Sequence, residues 1–353
     1  TRWTQDRRPA KPMVVTPMEE VGSYGGTWRS ALKGTYDTGW IRRTVGYQPL
    51  VAYDYEWTEV VPNVAERFEV NDDATEFTFY LREGHKWSDG EPFTAEDLKF
   101  AVDVMSSPAY GGRKANGFEW SKMRGEVIDP LTFKLTLSDP NGLFLERMAS
   151  VEGQFIVNAA KHYCGKYFPD VSPDANETAK AAGFDSWSQA IEQSCSFNFV
   201  DEERPLLFAW RQVTPYDGLN QLIEWERNPY FFKVDTEGQQ LPYISRQDEL
   251  YANDNEVRIL KLVNGEADYK SQSLTLGSAP ILLESQEKGD YSIQLKPTIA
   301  MPAFSFNVTS EDPAKRDLFG NVEFRKAMSI AINRDELNET SFFGQGEPKQ
   351  YIG

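Results

Sequence analysis

The chain has 353 residues, with 54 acidic against 37 basic side chains and a formal net charge of −17. A negative field of that size repels phosphate backbones and anionic lipid surfaces, which argues against nucleic acid as a partner. The length exceeds the roughly 100 to 200 residues of a usual single domain, so two lobes or one elaborated domain are expected, and no run approaches the roughly 18 to 20 apolar residues that span a bilayer.

The first twelve residues, TRWTQDRRPAKP, are polar and proline-containing, so any export signal is expected to have been removed. Tyr24 to Leu32 then reads as a glycine-preceded strand, and Gly34, Tyr36, Asp37 and Gly39 as a loop. The run from Tyr47 to Val61 mixes β-branched and aromatic residues around a turn at Asp54 and ends at Pro62. Phe77, Phe79 and Leu81 alternate with Thr78 and Tyr80 as in a half-buried strand, and Ser88-Asp89-Gly90 supplies a turn behind it. Thr94 with Asp97 three residues on predicts a capped helix carrying Leu98, Ala101, Val102 and Met105 on one face, stopped by Pro108.

Phe133, Leu135 and Leu137 repeat the strand pattern, whereas the polar stretch Lys161 to Ser196 predicts surface helices. From Pro205 the chain turns β-like again. Val257 to Val263 fits an amphipathic helix ended by Asn264-Gly265, and Asn321 to Ile332 another, with Asn333 capping a third. Mixed elements with few linker signals predict an α/β or mixed α+β architecture whose lobes are joined by ordinary strands.

Chemistry is sparse. The two histidines, His85 and His162, stand in no metal spacing, Gly22 to Gly26 matches neither a dinucleotide pattern nor a P-loop, and no nucleophile elbow is present. Acidic pairs such as Glu19-Glu20 arise by chance among so many carboxylates, so neither an enzyme, a cofactor nor a metal is expected. Cys164 and Cys195 are compatible with one disulfide or with two buried thiols. Aromatics at 13%, including nine Trp, serve core packing as readily as ligand platforms.

Four phrases fall in a fixed order: Pro62 to Val70 with Phe77 to Leu98, including Ser88-Asp89-Gly90-Glu91-Pro92-Phe93; Arg227 to Asp235 with Leu241-Pro242-Tyr243-Ile244; Gly265-Glu266-Ala267-Asp268; and Phe324 to Leu337. Together they resemble the family 5 extracellular solute-binding proteins of ABC importers, a class of oligopeptide, dipeptide, nickel and oligosaccharide receptors. The resemblance implies a two-lobed periplasmic binding protein: a first lobe of residues 1–46 and 152–296 with a mixed sheet, an inserted α+β subdomain at 47–151, and a hinge near Lys296 to Phe304 that opens the second lobe. Because the family's chains run on past the fourth motif, a chain stopping at Gly353 is expected to lack its C-terminal part. The wording around Phe304 to Thr309 and Arg316 to Phe319 is closer to the oligosaccharide-associated members.

The resemblance further implies a periplasmic monomer that holds an oligosaccharide or oligopeptide between its lobes and delivers it to membrane permease subunits, with a Cys164–Cys195 disulfide. Cleft-facing residues are expected at Tyr36, Trp40, Tyr110, Trp120, Trp210, Ser271 and Gln272. A glycoside hydrolase is the alternative from another class.

Overall fold

The structure is a computed structural model that describes residues 7–34, 37–296 and 303–347. By contacts the chain divides into two compact units, residues 1–258 with 266–273 and residues 259–265 with 274–353.

The first unit holds two four-stranded sheets. One is mixed, in the order Gly25–Leu32, Ile244–Tyr251, Leu222–Arg227, Trp210–Gln212, with the first pair parallel and the others antiparallel. Its register sets Trp28 opposite Gln247 and Ser30 opposite Glu249. The other sheet is antiparallel, in the order Ala65–Val70, Glu76–Leu81, Thr132–Leu137, Met123–Asp129. Here the expected alternation holds: Phe77, Phe79, Phe133 and Leu135 are buried, with Phe79 directly opposite Phe133. The Ala95–Ser106 helix packs on this sheet, and Thr94 and Asp97 form the expected reciprocal cap. Two short pairs complete the unit, a hairpin of Val51–Tyr53 with Val60–Pro62 and a parallel pair of Met13–Val15 with Lys233–Asp235.

The motifs meet in space. Gly90 sits in a turn at φ +99°, which favours glycine, and a Cβ there would come 2.9 Å from the Tyr230 oxygen, so the end of the tyrosine would have to shift. Asn228 secures the same junction, its side chain donating to the Phe208 carbonyl at 2.9 Å and accepting from the Tyr230 N–H at 2.9 Å. His85 packs between Phe93 and Phe232, where burial holds its pKa near 3 and keeps the ring neutral.

The polar stretch after Lys161 is helical at Lys161–Cys164, Ala175–Ala181 and Trp187–Ser194. Cys164 and Cys195 are disulfide-bonded, with Cα atoms 6.1 Å apart. The buried Arg204 guanidinium donates to Ser196 O and to Asn158, and the Asn158 amide donates to Cys195 O at 3.1 Å, so the bridge sits in a hydrogen-bonded knot.

In the second unit, Gly265 follows the Asn255–Val263 helix at φ +70°, and a Cβ there would meet the Gly289 carbonyl oxygen at 2.4 Å. The helices Pro313–Gly320, Val322–Ile330 and Arg334–Phe342 are capped by Asp312, Asn321 and Asn333. They contain no buried residue; Val322 and Ile330 are 50% and 76% exposed. The rings of Phe306, Phe319 and Phe324 gather within 5.5 to 6.2 Å of one another.

Removing the disulfide with Cys164→Ser and Cys195→Ser opens a 31-residue separation, which in the chain-entropy model costs about 3 to 4 kcal/mol. Denaturant unfolding of the wild-type chain should move to lower midpoint by that amount when reductant is added, and the double variant should be insensitive to reductant.

Candidate ligand-binding site

The site is assembled at the edge of the mixed sheet. Trp28 lies on the edge strand, and its ring centroid is 5.9 Å from Trp40, 6.2 Å from Trp210 and 6.5 Å from Tyr269. Tyr269 stacks on Trp40 at 5.3 Å and 23° and remains 50% exposed, so the cluster has a buried base and one accessible face.

What holds Tyr269 there is a polar brace. Asp268 grips the edge strand: its carboxylate accepts from Arg29 Nη2 at 2.6 Å, Arg29 Nε at 3.1 Å and the Arg29 backbone N–H at 2.7 Å, while its own N–H donates to Arg29 O at 2.9 Å. The Arg29 guanidinium holds the Asp268 carboxyl below its usual pKa. One residue beyond Tyr269, Lys270 turns inward, donating to the Ala31 carbonyl and standing 3.2 Å from Asp37 Oδ2. Those two side chains are 3% and 1% exposed. Asp37 also accepts from the Lys33 N–H at 2.6 Å and from the Ser273 hydroxyl. Burial lowers the Lys270 pKa and the Asp37 charge opposes that shift.

Ser273 ends the brace in a left-handed conformation, φ +59°, which a non-glycine residue adopts only under restraint, at a cost on the order of 1 kcal/mol. The restraint is visible: besides Asp37, the fully buried Arg258 donates to Ser273 O at 3.1 Å and to Asn255 Oδ1 at 2.6 Å.

Beneath the rings lies a second buried carboxyl. Glu249 accepts from the Trp40 indole N–H at 3.1 Å and from the Gln247 amide. Burial raises its pKa to about 7, against hydrogen bonds from Trp40 and Gln247 that lower it.

Of the expected cleft residues, the structure brings Trp40 and Trp210 together. Both are buried, and Trp210 spends its indole N–H on Ile244 O at 3.1 Å. Ser271 is exposed and Gln272 half-buried, both on the braced loop. Tyr110 and Trp120 are not part of this cluster: Tyr110 is buried, donates to Glu192 at 2.8 Å and stacks on Trp187, and Trp120 is buried beside Phe118 with its N–H on Ala115 O. Tyr36 lies outside the described residues, as does most of the expected hinge. Sequence reasoning missed Trp28, Tyr269, Asp37 and Lys270. A signal existed for Tyr269, which directly follows the third motif's Asp268. Among the described residues no three His, Cys, Asp or Glu side chains gather as a metal site.

Residues 59–187 and 210–352 match the model of the bacterial extracellular solute-binding proteins, family 5, and the chain belongs to that family. It is 26% identical to a probable ABC transporter-binding protein of Deinococcus radiodurans over 86% of this chain and 48% of that one. It is 25% identical to the periplasmic alpha-galactoside-binding protein of Rhizobium meliloti over 95% of this chain and 50% of the relative. Among solved structures, an oligopeptide-binding protein OppA superposes with a TM-score of 0.74 at 33% identity, over 98% of this chain and 55% of that one. The chain thus spans about half the length of these relatives.

Two predictions test the site. Lys270→Met leaves Asp37 buried and unpaired and should destabilise by about 3 to 5 kcal/mol, with the double variant Asp37→Asn/Lys270→Met recovering part of the loss; a double-mutant cycle in denaturant reads this. Glu249 binds its proton more tightly folded than unfolded, so its stabilising contribution is full below pH ~4.5, the unfolded value, and is lost as pH rises through about 7. Between pH 5 and 8 the wild-type chain should lose about 3 kcal/mol more than Glu249→Gln, measured by unfolding at each pH.

Proposed function

We propose that this chain belongs to the solute-capturing component of an ABC importer, working in the periplasm as a monomer, and that its ligand is an oligosaccharide or an oligopeptide that it binds without transforming. The observation that carries this reading is the half-exposed Tyr269 ring, stacked on Trp40 and fixed by the Asp268–Arg29 and Lys270–Asp37 contacts. A rigid aromatic face suits a sugar ring or an apolar side chain, because it offers contact area with little ordering entropy left to lose on binding. Ser271 and Gln272, next on the same loop, supply polar partners beside it. Of the relatives, one is named for alpha-galactosides and one for oligopeptides, which is why both ligand classes are retained.

We also assign residues 47–151 to an inserted subdomain. The support is that all four strands of the antiparallel sheet, the Val51–Tyr53 hairpin and the Ala95–Ser106 helix come from that span.

Mass spectrometry of molecules released from protein purified without denaturation should identify a stoichiometric solute, and calorimetry with that solute should show unit stoichiometry and no product. Tyr269→Ala should weaken binding roughly tenfold, about 1.4 kcal/mol, while the lost stacking on Trp40 lowers stability by no more than about 1.5 kcal/mol and leaves the chain folded. Turnover of the solute, or unchanged affinity in the variant, overturns the reading.

A further inference from the structure

Trp28 and Trp210 have a second neighbourhood. Away from Tyr269 they help line a cavity of about 550 Å³ within the first unit, whose other walls include Tyr243, Gln48, Thr44 and Lys233. The remaining lining is apolar, and none of the lining residues is acidic. In a chain of net charge −17, a concavity whose only ionisable lining groups are a lysine and a tyrosine is unusual in sign.

The lysine is also uncompensated. Lys233 lies on the short Lys233–Asp235 strand and is half-buried, and its ammonium has no hydrogen-bond or ion-pair partner among the described residues, only the Phe232 ring at 5.4 Å. The next carboxylate along the strand, Asp235, is engaged elsewhere, accepting from the Tyr243 hydroxyl at 2.6 Å and from the N–H groups of Glu237 and Gln239. The neighbouring cation Arg82 donates to the carbonyls of Lys11, Asn63 and Ala65, which leaves its charge unneutralised by a contacting acid. Gln48 is a second open donor: its Oε1 accepts from Asn63 at 3.4 Å, while its amide nitrogen has no hydrogen-bond partner among the described residues. The Trp210 N–H, the Tyr243 hydroxyl and the Thr44 hydroxyl are already occupied by Ile244 O, Asp235 and Trp40 O.

We propose that this cavity is a binding site for a small organic carboxylate, its anionic group held by Lys233 and Gln48 and its apolar body against Trp28, Trp210 and Tyr243. The Lys233 cation, with the Gln48 amide and the Trp28 indole N–H both without a hydrogen-bond acceptor among the described residues, matches the single charge and the several lone pairs of a carboxylate, and aromatic walls match a ring or short hydrocarbon. A doubly charged phosphate would leave one charge uncompensated against apolar walls. Burial, aided by Arg82, lowers the Lys233 pKa to about 7. The free ammonium therefore loses its proton just above neutrality, and a bound anion would restore it.

That linkage gives the test. Calorimetry of the chain with 3-phenylpropionate should show one site, with 3-phenylpropionamide at least tenfold weaker. Affinity for the acid should fall severalfold for each pH unit above about 7, because binding then requires uptake of a proton. Lys233→Met should abolish the preference for acid over amide and the pH dependence, and Lys233→Arg should keep the preference while losing the decline near neutrality. Thermal unfolding of each variant shows whether it is folded. No binding of the acid, equal binding of acid and amide, or an unaltered pH profile in folded Lys233→Met overturns the proposal. Tyr269 does not line this cavity, so failure here leaves the reading of the Tyr269 surface standing, and failure there leaves this one.

Discussion

The buried pair of Asp37 and Lys270 is the constraint on which the candidate surface depends. Neither charge could stay in so dry a position alone, since each would be stripped of water without compensation. Together they fix the start of the Thr38–Arg43 helix, whose N-cap position Asp37 occupies, to the loop that follows Asp268. Trp40 belongs to that helix and Tyr269 to that loop, so the stacking of the two rings follows from an ion pair that touches neither ring face. Ser273 shows the same dependence in its backbone, which keeps a strained conformation because Asp37 and Arg258 hold it from two sides.

Much of the scaffold was legible in the sequence because its signals are local. Period-two alternation at Phe77 to Leu81 and Phe133 to Leu137, the Thr94–Asp97 cap, the helical face after Asn321 and the Asn333 cap each need only neighbours along the chain, and each element formed where expected. The motifs identified the family for a related reason: their residues meet local demands, Gly90 a turn at positive φ and Asn228 the backbone groups of Phe208 and Tyr230. The first three motifs form joints of the scaffold at Gly90, Asn228 and Asp268.

The site was less legible, because its parts are set by pairings across the chain. Trp28 reads as one more strand aromatic until the parallel register sets Gln247 opposite it and the Thr38–Arg43 helix brings Trp40 to 5.9 Å, and Lys270 reads as a surface lysine until Asp37 is found 233 positions away. Aromatic type alone did not distinguish roles. Trp40 and Trp210 join the cluster with Tyr269, whereas Tyr110 and Trp120 serve packing around Glu192, Trp187 and Phe118.

The grip of Asp268 on Arg29 has a consequence for the unliganded chain. Gly25–Leu32 is the outer strand of the mixed sheet, and an outer strand offers free N–H and C=O groups that can recruit a strand from another molecule. Here the N–H and C=O of Arg29 are both taken by Asp268, and the carbonyl of Ala31 by Lys270. The loop that presents Tyr269 is thus also a guard rail. It seals the sheet against edge-to-edge aggregation over the stretch from Arg29 to Ala31, next to Trp28.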